Sequence, residues 1–223
     1  MNGWARAALI ATVACAAGPG AATAQEALPR FPFGVPAIVL PVQSSEPTAG
    51  GRWPGRASSQ EGALRAMDAE LEFALEERRG AEGWALPSDL RRSVRRNPTV
   101  RVDPDRVAYQ GLLAEPDRRE QIYEPLHGEL RALAALHGTR FVVLPLRLRI
   151  VAAEEPEAGT PRTTGACDDG SQPVRAELLL ALIDIRRSAV LWHGSVDGAA
   201  GCPDSGALLA SLAAVVARRI TES

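Results

Sequence analysis

One stretch constrains the fold more than any other: residues 173–198 have the pattern of a β-hairpin. Residues 174–185 form a long apolar run, and the Arg-Arg-Ser sequence at 186–188 supplies a polar turn. Because a hairpin alone is only marginally stable in water, it needs apolar partners. We expect them from a strand at 139–151 and a helix at 205–221. The returning strand alternates between two faces, with Val190, Trp192 and Val196 on one and Leu191, His193 and Ser195 on the other.

The composition is that of a globular chain with a sizeable core. Its 223 residues are 46% hydrophobic and carry a formal net charge of -2, which suits one domain. All 25 basic residues are arginine. The sequence pI of about 6.0 gives no general reason to expect nucleic acid or an anionic membrane surface as a partner.

The N-terminal residues 1–24 have the pattern of a signal peptide. Arg6 precedes an alanine-rich apolar run at 7–17, and a Gly-Pro-Gly break and an Ala-Thr-Ala cleavage site follow. The apolar run is too short to span a bilayer. We predict export to the periplasm with cleavage after Ala24. In a competing interpretation Cys15 is lipidated and anchors the chain, because the residues before it partly match a lipobox.

Two cysteines remain in the predicted mature chain, Cys167 and Cys202. Both lie just outside the hairpin, in a chain whose predicted compartment permits oxidation. We therefore predict a disulfide that closes the base of the hairpin and stabilises the fold by roughly 3 to 4 kcal/mol. A metal site or a reactive thiol is the alternative, but the two cysteines match no zinc pattern.

The first third of the mature chain predicts a tether, a strand and a loop. Residues 25–35 are a proline-rich tether. Residues 36–43 have the pattern of a short buried strand, and Pro41 within them implies a sheet edge or a strand end. The following Pro/Gly/Ser-rich loop contains Trp53, which either contacts a partner or folds over the core.

Two helical segments come next. The first is predicted at 61–79, opened by a capping box of Ser58 and Glu61. The second is predicted at 89–96, after a short strand at 83–86. We interpret the basic residues of this second helix as a solvated face near its C-terminus, with an anion site as the alternative. These residues are Arg91, Arg92, Arg95 and Arg96.

Two more helices are predicted at 103–113 and 119–136, and Gly138 ends the second of them. The strand at 139–151 then alternates, with Arg147 and Arg149 on its polar face. Its apolar face consists of Val142, Leu144, Leu146, Leu148 and Ile150. The buried stripe of the helix before it consists of Ile122, Leu126, Leu130 and Leu133.

This order of segments predicts an α/β fold. We expect a mixed sheet of four or five strands covered by helices in two or three layers, with a C-terminal β-hairpin followed by a closing helix. Residues 36–221 are predicted to form one domain.

Motifs of known chemistry are missing from the sequence. There is no G-x-S-x-G elbow, no Gly-rich phosphate loop and no H-E-x-x-H. His127 and Glu129 have the H-x-E spacing of a zinc deaminase, but the accompanying P-C-x-x-C is absent. We interpret His127 as a surface residue and His193 as a solvent-side strand residue. The sequence therefore predicts no catalytic residue, no metal and no cofactor.

The pattern of segments resembles a group of bacterial envelope domains. The resemblance is carried by AIVLPVQ at 37–43, by the helix and strand at 132–150, and by the hairpin, in which Asp184 and a Val-Leu-Trp run at 190–192 match the group. Ala189 stands where that hairpin usually has glycine. The group includes the N-terminal domain of the Tol-Pal system's periplasmic propeller protein, the curli-secretion lipoprotein, and lipoprotein activators of penicillin-binding proteins. The resemblance implies a non-catalytic accessory domain.

Three functions are consistent with the sequence. The first is an exported adaptor that binds another envelope protein through a sheet edge or the proline-rich arm. Its candidate contact residues are Trp53, Arg147, Arg149 and Trp192. The second is a small-molecule or glycan binder with a cleft beneath the Trp53 loop. The third is a secreted hydrolase of unrecognised type.

Overall fold

The structure of the protein is a computed structural model that describes residues 35–47, 53, 57–78, 83–114, 121–153, 167, 170–203 and 206–221. The predicted signal peptide at 1–24, with Cys15, lies outside the described residues, as does the predicted tether except for residue 35. Among the described helices, none has both the length and the apolar character needed to cross a membrane.

A mixed four-stranded sheet forms the middle of the fold. Its strands are β1 Ala37–Val39, β2 Phe141–Ala152, β3 Val174–Asp184 and β4 Ala189–Asp197, in that spatial order. β1 runs parallel to β2, whereas β2, β3 and β4 pair antiparallel. The predicted α/β fold with a mixed sheet and a C-terminal hairpin is confirmed, and β1 lies at an edge of the sheet, as Pro41 implied.

Helices cover both faces of this sheet. They are α1 Gln60–Glu76, α2 Pro87–Arg96, α3 Gln110–Ala114, α4 Leu126–Leu136 and α5 Gly206–Thr221. α1 and α5 pack on one face through buried residues that include Met67, Leu71, Leu209 and Leu212. α2 and α4 pack on the other face through Leu90, Leu130 and Leu133. The result is three layers with a separate hydrophobic cluster on each side of the sheet.

The predicted strict alternation along β2 is wrong beyond its midpoint. The pairing with β3 shifts by one residue between Pro145 and Arg147, so Leu146 is the extra residue of a β-bulge. Leu148 therefore packs with the α1 and α5 side, whereas Leu144 packs with the α2 and α4 side. Arg147 and Arg149 keep a shared face because both follow the bulge.

β4 contains a second bulge with a similar effect. The pairing shifts between Leu182 and Ile183, which leaves Leu191 as the extra residue of β4. Val190 therefore packs on the α2 and α4 side, and Trp192 packs on the α1 and α5 side. The predicted common face of these two side chains is wrong for this reason.

Several helix boundaries differ from the prediction. Ser59, not Ser58, caps α1, and its side chain accepts a hydrogen bond from the Gly62 N–H. α4 begins at Leu126 because Pro125 lacks an N–H and disfavours helical backbone in the residue before it. The predicted helix at 103–113 is replaced by a turn near Pro104 and the short α3.

Cys167 and Cys202 form a disulfide with a Cα–Cα distance of 5.7 Å, which confirms the predicted pairing. Beside it, the backbones of Val174 and Gly201 exchange two hydrogen bonds of 2.8 Å each. The disulfide therefore closes the base of the β3–β4 hairpin, where the two chain segments already pair.

Candidate functional site

A groove with a volume of about 1330 Å³ runs between α1, α2 and the segment at 100–106. Its walls carry five arginines and five acidic residues, so the formal charge of the lining balances. These residues are Arg65, Arg91, Arg95, Arg101, Arg106, Glu61, Asp68, Glu72, Asp103 and Asp105. We call this feature the polar groove.

An arginine held between two aspartates forms the inner wall of the polar groove. Asp68 comes from α1, Arg91 from α2 and Asp105 from the turn before α3. The Arg91 Nε atom donates to Asp105 Oδ1 at 3.0 Å, and Arg91 Nη2 also donates to Asp68 Oδ2. This ion pair network joins three segments that are distant in sequence.

Burial controls the protonation of Asp68, whose side chain is 3% exposed. Burial raises the pKa of Asp68 to about 6, although the Val42 N–H and the Arg91 guanidinium both favour the ionised form. Burial also opposes the charge of Arg91, but hydrogen bonds to Asp105 and Asp68 outweigh it and raise the pKa of Arg91. The guanidinium is therefore charged, and the pKa of Asp68 lies near 6.

The buried side chain of Gln43 fixes the backbone beneath the groove. Its amide nitrogen donates to the carbonyl oxygens of Pro41 at 2.7 Å and Pro104 at 2.9 Å. Its amide oxygen accepts the Val107 N–H at 3.0 Å. All three bonds are buried, so they hold the turn at 103–107 against the segment that follows β1.

The arginines of α2 do not share one environment, and the prediction of a common solvated face is wrong for Arg91. Arg91 is only 25% exposed because it reaches inward to Asp68. Arg92 pairs at the surface with Asp89 at 2.9 Å. Arg95 is exposed on the wall of the polar groove, and Arg96 is exposed outside the groove lining.

Arg147 and Arg149 lie on the part of β2 that follows the bulge. Arg147 Nη1 is 3.2 Å from Glu46 Oε1, and Arg149 Nε is 3.5 Å from Glu46 Oε2. One carboxylate thus bridges the two arginines at a half-exposed surface, separate from the polar groove.

The two candidate tryptophans lie in different surroundings. Trp53 is half-buried, and its neighbours at 48–52 and 54–56 lie outside the described residues. Trp192 is 7% exposed and belongs to the core on the α1 and α5 side. Its ring therefore offers little surface to a partner.

A second polar cluster lies around the turn between β3 and β4. Arg140 donates to Asp184 through Nε at 2.8 Å and also through Nη2. The hydrogen bonds from Arg140 are the main cause that lowers the pKa of Asp184, although burial opposes them. The backbone N–H of Arg186 donates to the same carboxylate at 3.1 Å, so Asp184 fixes the start of the turn.

Ser188, His127 and Glu124 lie beside this turn. The Ser188 Oγ atom is 3.1 Å from His127 Nε2, and His127 Nδ1 is 3.4 Å from Glu124 Oε1. A pocket of about 350 Å³ borders Ser188 and His127. Sequence reasoning missed this cluster because the serine and the histidine are 61 positions apart.

Within the described residues, no group of three or more His, Cys, Asp or Glu side chains has an arrangement that could hold a metal ion.

Comparison with known proteins yields only distant structural likeness. No family model matches the chain, and no curated protein matches it. Two solved structures of PelC dodecamers from Paraburkholderia phytofirmans are similar to it. One, a variant dodecamer, is 14% identical with a TM-score of 0.39 and covers 88% of this chain and 96% of its own. The other is 15% identical with a TM-score of 0.34 and covers 89% and 96%. Structural similarity at these TM-scores does not indicate a function.

Proposed function

We propose that this protein is an exported accessory protein whose polar groove is a non-catalytic binding site for another component of the cell envelope. The size and lining of the groove carry the proposal. Its volume of about 1330 Å³ exceeds the roughly 300 to 1,000 Å³ that is usual for small-molecule sites. A groove of this size suits an extended segment of a macromolecule.

The charge of the groove supports a polypeptide segment as the bound component. Arginines and acidic residues balance along its walls, so it lacks the basic excess that recognises a polyanion. Three of the charged side chains already satisfy one another in the Asp68, Arg91 and Asp105 network. Exposed groups such as Arg95 remain to pair with a partner's polar groups.

Export is supported by the disulfide between Cys167 and Cys202, because disulfides persist mainly in oxidising compartments. The signal peptide, its cleavage after Ala24 and the lipid-anchor alternative at Cys15 remain predictions. The surface formed by Arg147, Arg149 and Glu46 is a second predicted contact region.

Intact mass of the protein recovered from the envelope fraction of its native host, before and after reduction and alkylation, tests export. We expect a chain that begins at Gln25 and gains two alkyl groups only after reduction. An unprocessed chain with three free thiols would contradict export, and a lipid adduct at Cys15 would replace the soluble form with the anchored one.

A further inference from the structure

Three side chains at the hairpin turn form a connected line that ends in a hydroxyl. Glu124 Oε1 lies 3.4 Å from His127 Nδ1, and His127 Nε2 lies 3.1 Å from Ser188 Oγ. A carboxylate, an imidazole and a hydroxyl in this order make up the relay that activates a serine nucleophile.

The local backbone places each of the three groups. Ser188 has φ 52° and ψ 31° between the 3-10 turn Ile185–Arg187 and β4, and a serine in this left-handed region carries strain of a kind that clusters at functional sites. His127 lies in the first turn of α4. Glu124 precedes that helix, and its Oε2 accepts the Gly128 N–H at 3.0 Å.

Gly128 leaves space for the Glu124 carboxylate. A Cβ atom at position 128 would lie 2.7 Å from Glu124 Oε2, which is closer than atoms pack. The absence of a side chain at this position therefore permits the carboxylate to reach the histidine.

The distances permit the tautomer that a general base requires. The Nδ1–H of a neutral His127 can donate to Glu124, which leaves Nε2 as an acceptor for the Ser188 hydroxyl. The Ile185 carbonyl oxygen lies 3.4 Å from Nε2 and would accept a hydrogen bond from the other tautomer, whereas Ser188 Oγ is the nearer partner of Nε2, at 3.1 Å.

The pocket beside the relay has cationic walls. Its volume is about 350 Å³, and Arg131 and Arg186 line it together with His127 and Ser188. This volume accommodates a small acyl group. The two guanidinium groups favour a substrate with a carboxylate or phosphate, and they supply positive charge near a developing oxyanion.

We propose that Ser188 is a nucleophile, activated by His127 and positioned through Glu124, that cleaves small esters bearing a negative charge. The Ser188 oxygen attacks the ester carbonyl while its proton passes to His127 Nε2. The C–O bond to the alcohol then breaks, and His127 returns the proton to the departing alkoxide. Water, deprotonated by His127, releases the acid and regenerates the hydroxyl. This activity goes beyond binding in the polar groove, and neither depends on the other.

An alkyl fluorophosphonate probe tests the nucleophile on the folded, oxidised protein. We expect one adduct per chain, assigned to Ser188 by peptide mass. The variant Ser188→Gly removes the hydroxyl and tolerates the positive φ, so it should keep the fold and lose the adduct. His127→Gln should slow labelling by roughly 100-fold or more.

Ser195→Ala is the matched control, because Ser195 donates to a carboxylate, Glu177, at 2.5 Å without an intervening imidazole, and it should label like the unmodified chain. For the positioning role of Glu124, Glu124→Gln should alter the pH profile of labelling, which a purely structural contact would not do. Hydrolysis of 4-nitrophenyl hydrogen succinate should disappear in Ser188→Gly. An adduct at another residue, no adduct, or undiminished hydrolysis by Ser188→Gly would each overturn the proposal.

Discussion

Asp68 and Asp184 are both buried and both paired with an arginine, yet their pKa values shift in opposite directions. Their side chains are 3% and 2% exposed. The pKa of Asp68 is raised to about 6, whereas that of Asp184 is lowered. The exposed fraction of a carboxylate therefore does not determine its ionisation in this molecule.

Asp68 lies deeper in the protein than Asp184, so burial has the larger effect on its pKa, and the two carboxylates also differ in their hydrogen-bond donors. Asp68 receives one backbone N–H, from Val42, and shares its arginine with Asp105. Asp184 receives two nitrogens of Arg140 and the backbone N–H of Arg186. Burial outweighs the hydrogen bonds at Asp68, and the hydrogen bonds outweigh burial at Asp184.

The two aspartates therefore affect stability in opposite pH ranges. Because the pKa of Asp68 is higher in the folded chain, its contribution is fully present below about 3.8 and is lost as pH rises through about 6. Because the pKa of Asp184 is lower in the folded chain, its contribution is present above its ordinary value and is lost as pH falls through the native pKa.

The largest effect is expected for Arg91→Met, which leaves Asp68 and Asp105 side by side without a cation. We expect a loss of roughly 3 kcal/mol in the free energy of unfolding at pH 8, and a smaller loss at pH 5, where Asp68 is mostly protonated. Urea unfolding at both pH values measures it. The control is Arg92→Met, whose surface pair with Asp89 contributes less than about 1 kcal/mol; equal losses for the two variants would contradict this interpretation.

Asp184→Asn tests the other site and should have an intermediate effect. We expect a loss of roughly 1 to 3 kcal/mol at pH 7, because Arg140 loses its charged acceptor and the turn loses part of its anchor. The loss should shrink as pH falls and the native carboxylate becomes protonated. Thermal unfolding across pH measures this trend, and a loss that grows toward low pH is the opposite of what we expect.

Asp68→Asn should have the smallest effect, within about 1 kcal/mol at pH 4, because the folded chain already holds Asp68 in its uncharged form there. The variant should also lack the pH-dependent loss of stability that ionisation of Asp68 causes. A shift from 3.8 to about 6 corresponds to roughly 3 kcal/mol of stability lost between pH 4 and pH 7. Comparison of the unfolding curves of the two chains isolates it; identical pH profiles would show that Asp68 does not titrate in this range.

Local patterns predicted much of the fold. The hairpin, the disulfide and the apolar stripe of α4 could be predicted because periodicity and cysteine position depend on nearby residues. The β-bulges at Leu146 and Leu191 could not be predicted. Apolar and polar residues alternate along the sequence in the same way whether or not a strand contains a bulge. Only pairing with the neighbouring strand reveals them.

The sites were harder to predict. One feature of the sequence indicates that Asp68 is buried. It follows Leu64 by four residues and precedes Leu71 by three, which places it on the buried stripe of α1. Its partner Arg91 is 23 positions away, and nothing in the arginine run distinguishes it from Arg92. Tertiary packing determines which arginine pairs with Asp68, so sequence periodicity cannot identify that arginine.

Site-specific photocrosslinking in the native host envelope tests whether the polar groove binds a partner. A photoreactive residue replaces Arg95, which lines the groove, or Arg92, which lies on the same helix outside the groove lining. We predict that the Arg95 position crosslinks to one defined envelope protein and that the Arg92 position does not. Equal crosslinking at the two positions, or none at Arg95, would contradict the proposed role of the groove.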